Sequence, residues 1–187
     1  MPLELNVITV STRPGRVGPK VAEWFAGFAR AHGGFEVAPV DLAGFDLPLL
    51  DEPKHPRFKD YQHAHTKAWS ESVAGADAFV FVSPEYNYSP PPSFVNAVDF
   101  VFQEWGYKVA GLVTYGGALG GARAAQMEKL MLTSVKVMTV PEGVSIPLPS
   151  HMKDGQFTPS PPIEASAKAM LDELVKWAGA LKPLRGG

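Results

Sequence analysis

The chain contains no cysteine among its 187 residues. That excludes disulfides, a thiol nucleophile and every Cys-ligated zinc or iron–sulfur site. It also lacks an excess of either charge, with 17 Lys and Arg against 19 Asp and Glu and a net charge of −2. Neither the basic footprint of a nucleic-acid binder nor a strongly acidic docking surface is present. No apolar run approaches the roughly 18 residues that span a bilayer. The opening residues, MPLELNVITVSTRPGR, lack the basic-then-apolar layout of a signal peptide. What is there is apolar material for a core: 45% of residues are hydrophobic and 19% charged, which excludes disorder. Gly and Pro, 18 of each, supply many turns. The expectation is one soluble, cytoplasmic domain over residues 1–187, with no nucleic acid and no membrane as partner.

Apolar periodicity alternates along the chain. Leu5 to Val10 is a short β-branched run suited to a strand buried on both faces. Val17, Val21, Trp24, Phe25 and Phe28 then fall on one face of a helix that Gly33-Gly34 stops. Phe35 to Leu42 reads as a second strand, residues 43–61 as a proline-rich loop, and Trp69, Val73 and Ala76 as a short helix. Ala78 to Val82 is a third strand. The prolines 90–92 open a helix over Ser93–Trp105 that is apolar around most of its circumference. Such a helix is either deeply buried or shared with a partner subunit, and it points here to a permanent oligomer. Val109 to Tyr115 is a fourth strand, Gly121 to about Ser134 a helix, and Val135 to Val140 a fifth strand. A long loop with six prolines follows over residues 141–162, and Ile163 to Ala178 holds the helical period without a break. Alternating strands and helices predict an α/β fold with a parallel sheet covered on both faces. Ligands in such sheets bind beyond the carboxyl ends of the strands, after Val10, Val82 and Tyr115.

Three loops at those ends carry the candidate chemistry. The first, Ser11-Thr12-Arg13-Pro14-Gly15-Arg16-Val17-Gly18, brings two hydroxyls and two guanidinium groups to a helix N-terminus, a favourable place for a phosphate. It has neither the G-x-x-x-x-G-K-[ST] of an ATP-type loop nor the G-x-G-x-x-G of a dinucleotide site, so a monophosphate fits better. The second, Ser83 to Pro90, offers two tyrosines, Asn87 and a run of backbone donors, an edge suited to a planar heterocycle. The third, Tyr115-Gly116-Gly117-Ala118-Leu119-Gly120-Gly121, permits close approach of a flat ligand.

Together these segments resemble the NADPH-dependent FMN reductase family of flavodoxin-like proteins. The resemblance rests on S-T-R-P-G-R-V-G at 11–18, L-P-L-L-D-E-P at 47–53, S-P-E-Y-N-Y-S at 83–89, N-A-V-D at 96–99 and Y-G-G-A-L-G-G-A-R-A at 115–124. It implies a flavodoxin-like three-layer sandwich with a five-stranded parallel sheet in the order 2-1-3-4-5 and helices on both faces. It also implies noncovalent FMN, NADPH as electron donor, quinones or free flavin as acceptors, and a homodimer or homotetramer. By position, Ser11, Arg13, Arg16, Val17 and Gly18 would hold the FMN phosphate. Pro84, Glu85, Tyr86 and Asn87 would line the isoalloxazine, with Tyr115, Gly116 and Gly117 at its other edge. Two positions depart from the family: Val10, often Gly, and Val95, often Lys.

Because the flavin carries the chemistry, no side chain is named as general acid or base, and Glu85 is expected to orient its loop. The alternatives are a flavodoxin-type electron carrier, against which the near-neutral charge speaks, and a flavin-binding sensor without turnover. Ser11 lacks the G-x-S-x-G elbow of a hydrolytic nucleophile. His63 and His65 have no carboxylate cluster to complete a metal site, and none is expected. Asp99 is expected to cap or pair within its helix, and Lys168, Asp172, Glu173 and Lys176 to form a solvated face.

Overall fold

The β-branched run at the start of the chain becomes strand β1 (Glu4–Thr9), buried along nearly its whole length. In the computed structural model, which describes residues 2–185, it lies inside a five-stranded parallel sheet. The other strands are β2 (Glu36–Asp41), β3 (Ala78–Pro84), β4 (Lys108–Gly116) and β5 (Val137–Pro147), and their order is β2-β1-β3-β4-β5. This is the predicted flavodoxin-like order, with the chain reversing direction across the sheet between β1 and β3.

The helices are α1 (Gly18–His32), α2 (Ala64–Gly75), α3 (Pro92–Phe100), α4 (Ala122–Ser134), the short α5 (Leu148–His151) and α6 (Pro161–Leu181). Strand residues alternate between two cores. Leu5, Val7, Val80 and Val82 meet Val21 and Phe25 of α1 and Met170 and Leu174 of α6 on one face. Ile8, Phe79 and Phe81 meet Trp69 of α2, Phe94 and Val98 of α3 and Leu132 of α4 on the other. Among the described residues no helix is long and apolar enough to cross a membrane.

Three expectations about elements are corrected. The helix over 93–105 ends at Phe100; Val101 is extended, and Gln103–Trp105 forms a 3₁₀ turn. The break lets Trp105 turn inward against Phe79, with ring centroids 5.0 Å apart. The indole N–H groups of Trp69 and Trp105 then satisfy the carbonyls of Ala97 and Val98, at 2.8 and 3.2 Å, which the ending helix leaves unpaired. Phe94, Ala97, Val98 and Phe100 are all buried within this one chain, so the apolar circumference is no evidence for a partner subunit.

The fifth strand runs to Pro147, not Val140. A bulge opposite Gly111 lets Pro141 sit in the edge strand without breaking the ladder, because proline is tolerated at edges and bulges. Finally, the long loop over 141–162 contains α5 and a small hairpin, Met152–Lys153 with Gln156–Phe157, whose Phe157 covers Trp24 at a centroid distance of 5.2 Å.

Candidate functional site

The carboxyl ends of β1, β3 and β4 are adjacent, and the three loops meet there. Arg13, Arg16, Val17, Pro84, Glu85, Tyr86, Tyr115 and Gly116 line one cleft of about 100 Å³ with Leu148. A larger cavity, about 710 Å³, lies at the opposite end of the sheet, among Lys108, Lys136, Lys182 and Arg185. Three of those cations are already engaged. Lys108 Nζ donates to the carbonyls of Val73 and Ala74 at 2.6 and 3.0 Å, and Lys182 and Arg185 share Asp77 at 2.8 and 2.7 Å.

The first loop presents an open helix end. No side chain caps α1, its first turn holds no acidic residue, and Pro19 occupies a position where its missing N–H costs little. Ser11 is buried and its Oγ accepts a hydrogen bond from Tyr115 Oη at 3.1 Å. A Cβ on Gly18 would come within 2.5 Å of Ser11 Oγ and 2.7 Å of Tyr115 Oη, so only glycine fits there. Arg13 is exposed and pairs with no carboxylate among the described residues. Arg16 differs. Both arms of its fork reach Asp41 at 2.6 Å, and it also donates to the Ser11 carbonyl. The Asp41 hydrogen bond holds the guanidinium above its ordinary pKa. Burial alone would raise the Asp41 carboxyl, but Arg16 and the Ala43 N–H outweigh it and hold that carboxyl low. Arg16 therefore braces the loop against β2.

The second loop is a two-residue hairpin. Tyr86 and Ser89 exchange backbone hydrogen bonds of 2.9 Å, with Asn87 and Tyr88 both at positive φ. Glu85 ties it to α4. Its carboxylate accepts from Arg123 N–H at 3.0 Å, Ala124 N–H at 3.3 Å and the Arg123 guanidinium at 3.1 Å. Glu85 thus faces the start of α4, and its N–H donates to the Tyr115 carbonyl at 2.9 Å. Arg123 in turn lies 4.0 Å over the Tyr88 ring.

The third loop crosses close to β5. Gly120 sits at φ 58°, where a Cβ would come within 2.6 Å of Ile146 N. Burial pushes the Tyr115 hydroxyl up to about 12, so it remains a hydrogen-bond donor at neutral pH.

With this geometry in place, the sequence profile of the NADPH-dependent FMN reductase family matches residues 4–148. The chain belongs to that family. Membership makes it an oxidoreductase, with FMN and NADPH as the family's cofactor pair. Over 148 residues it is 36% identical to an NAD(P)H-dependent FMN reductase of Schizosaccharomyces pombe, covering 78% of this chain and 74% of that one. It is 29% identical over 150 residues to a quinone reductase of Escherichia coli, covering 74% and 76%. Among solved structures, the flavoenzyme NAD(P)H:(acceptor) oxidoreductase of Paracoccus denitrificans superposes with a TM-score of 0.74 at 21% identity, over 96% of this chain and 98% of that one. That likeness shows the fold.

The residues present fit a flavin monophosphate: an uncapped helix end, a glycine cradle with no room for a Cβ, and an unpaired arginine at the rim. Two departures from the family are accommodated. Val10 is fully buried and its N–H donates to Val82 O at 3.1 Å, while Val95 is half-buried. The familial segments at 47–53 and 96–99 are clasped by Asn96, which donates to Pro48 O at 2.6 Å and accepts from Leu50 N–H at 3.0 Å.

Asp99 neither caps nor pairs among the described residues; it is exposed, and partial burial raises its carboxyl. His63 and His65 stack 5.2 Å apart beside Asp51, and among the described residues no group of three such side chains is arranged to hold a metal ion. Sequence reasoning missed Asp41, Arg123 and Glu128. Only Arg123 left a signal, its place inside the familial motif at 115–124.

Proposed function

We propose that this protein is an FMN-dependent NAD(P)H oxidoreductase, a single domain that passes electrons from NADPH through bound FMN to quinones, free flavin or similar acceptors. The supporting observation is the convergence, at the β1/β3 switch point, of an uncapped helix end, a free Arg13 and two close-fitting loops.

Ser11, Arg13, Val17 and Gly18 hold the phosphate, with Arg16 bracing their loop from beneath. Because Tyr115 donates to Ser11 Oγ, the Ser11 hydrogen is left to point at a phosphate oxygen. Pro84, Glu85, Tyr86 and Asn87 line the ring on one side, and Tyr115, Gly116 and Gly117 bound its other edge. The flavin supplies two-electron transfer; the protein supplies placement, electrostatics and access. NADPH and acceptor share one flavin face and alternate there in a ping-pong cycle. The protein works in the cytoplasm as a homodimer or homotetramer. Its lack of cysteine is compatible with a reducing compartment, and the exposed Leu49, Leu50 and Phe58 supply apolar surface for self-association.

The test is a visible spectrum of the protein after addition of FMN and filtration, before and after anaerobic NADPH. A retained flavin band that bleaches within seconds is expected. A retained band that NADPH leaves unbleached favours a carrier or sensor, and loss of the band on filtration overturns the site.

A further inference from the structure

Glu128 lies on the second turn of α4 with none of its surface exposed to solvent. Its Oε1 accepts a hydrogen bond from Ser83 Oγ at 2.5 Å, while Oε2 is buried and has no partner. Ser83 is the penultimate residue of β3, next to Pro84, so this carboxyl is attached directly behind the loop that lines the proposed flavin site. A buried carboxyl with one oxygen unsatisfied is costly as an anion and is relieved by a proton.

Every charge on the adjoining elements is engaged elsewhere or remote. Glu85 on the hairpin and Arg123 on α4 pair with each other, Lys129 on α4 reaches the Pro141 carbonyl at 3.3 Å, and Tyr115 on β4 faces Ser11. Asp99 on α3 is exposed, and Glu142 on β5 does not act on Glu128. What acts on Glu128 is burial, which raises its pKa to about 7, and the Ser83 hydrogen bond, which opposes it. The group is therefore poised near neutrality and will respond to a new charge nearby.

We propose that Glu128 is a positioning and proton-storing residue, binding one solvent proton when the flavin in front of Ser83 is reduced and releasing it when the flavin is reoxidised. This rests on the flavin reading above. In the balance, the nicotinamide C–H bond breaks and its electron pair and hydrogen pass to the flavin, which gains one negative charge. A solvent proton forms an O–H bond at Glu128 and cancels that charge. On reoxidation a quinone receives the electron pair and hydrogen from the flavin and a second proton from solvent, while Glu128 returns its own proton to solvent. Ser83 Oγ donates to Oε1 in both states, so the hairpin is held throughout.

The experiment compares wild type with Glu128→Gln, which keeps an acceptor for Ser83. FMN-loaded protein is reduced photochemically in weak buffer with an indicator dye, and protons taken up per flavin are counted from pH 5 to pH 9. Up to one proton more per flavin is expected in wild type near pH 7 to 8. The difference should vanish at pH 5, where Glu128 is already neutral in both redox states. Equal uptake by the two proteins at every pH overturns the proposal. Should the variant not fold, infrared difference spectra of wild type decide: a carbonyl band of a protonated carboxyl must grow on reduction at pH 8, and its absence overturns the proposal. Failure to retain FMN at all overturns the flavin reading as well. Retention without the extra proton overturns only the role of Glu128.

Discussion

Tyr115 donates a hydrogen bond to Ser11 Oγ across 3.1 Å and 104 residues of sequence. The contact joins the loop after β4 to the loop after β1 inside the sheet's carboxyl end, and both partners are almost fully buried. It fixes the rotor of the hydroxyl in the proposed phosphate site, and it explains why Gly18, pressed against both atoms, has no side chain.

Tyr115→Phe removes the donor while keeping the ring in the core. Leaving Ser11 without its partner is expected to destabilise the fold by about 1–2 kcal/mol. FMN affinity should drop several-fold as the Ser11 hydroxyl loses its fixed orientation. Urea denaturation and a fluorescence titration with FMN check the two effects; no change in either means the hydroxyl does not set Ser11.

Arg13→Ala should weaken FMN far more than riboflavin, because the guanidinium is exposed, has no carboxylate partner among the described residues and lies in the proposed phosphate loop. A charge-assisted hydrogen bond of about 1.5–3 kcal/mol corresponds to roughly a ten- to hundredfold rise in Kd. The comparison of the two ligands carries the test. Equal losses for both would remove the phosphate from this loop.

The stability of the flavin-free protein should itself report Glu128. Its folded pKa is raised to about 7 from 4.5, so between those values the folded state binds more protons than the unfolded one. Stability therefore falls as pH rises through that window, by up to an amount on the order of 3 kcal/mol, and then levels off. Urea denaturation at pH 5 and pH 8 should show this loss in wild type, and Glu128→Gln should lack that part of it. Parallel pH dependence in the two proteins would place the carboxyl in a more solvated setting than its burial indicates.

Sedimentation at micromolar concentration is expected to show a dimer or larger. Leu49 is 84% exposed and Leu50 42%, so the double substitution Leu49→Asp, Leu50→Asp should shift the protein to monomer with little change in its unfolding midpoint. A wild-type protein that sediments as a monomer would leave these leucines without a partner.

Much of this molecule was legible because the signals are local. Alternating apolar runs fix strands and helices by their own periods, and hydroxyls, arginines and glycines between a strand and a helix mark an anion site wherever they occur. The familial motifs at 11–18, 83–89 and 115–124 carried the fold, the cofactor pair and the enzyme class. Where the reading of the sequence failed, the deciding partner was distant. The helix expected through Trp105 stops at Phe100 because two indoles and the core behind them reward the turn.

Nothing local to Arg16 shows that both arms of its fork reach Asp41, 25 residues on. Glu128 stands in the polar run Gln126-Met127-Glu128-Lys129 and reads locally as solvated. Only the packing of α4 against Ser83, 45 residues earlier, buries it and makes it titrate near neutrality. Periodicity and residue type are properties of the chain and can be read along it. The charge state of a carboxyl depends on distance and local dielectric, and those exist only once the elements are packed.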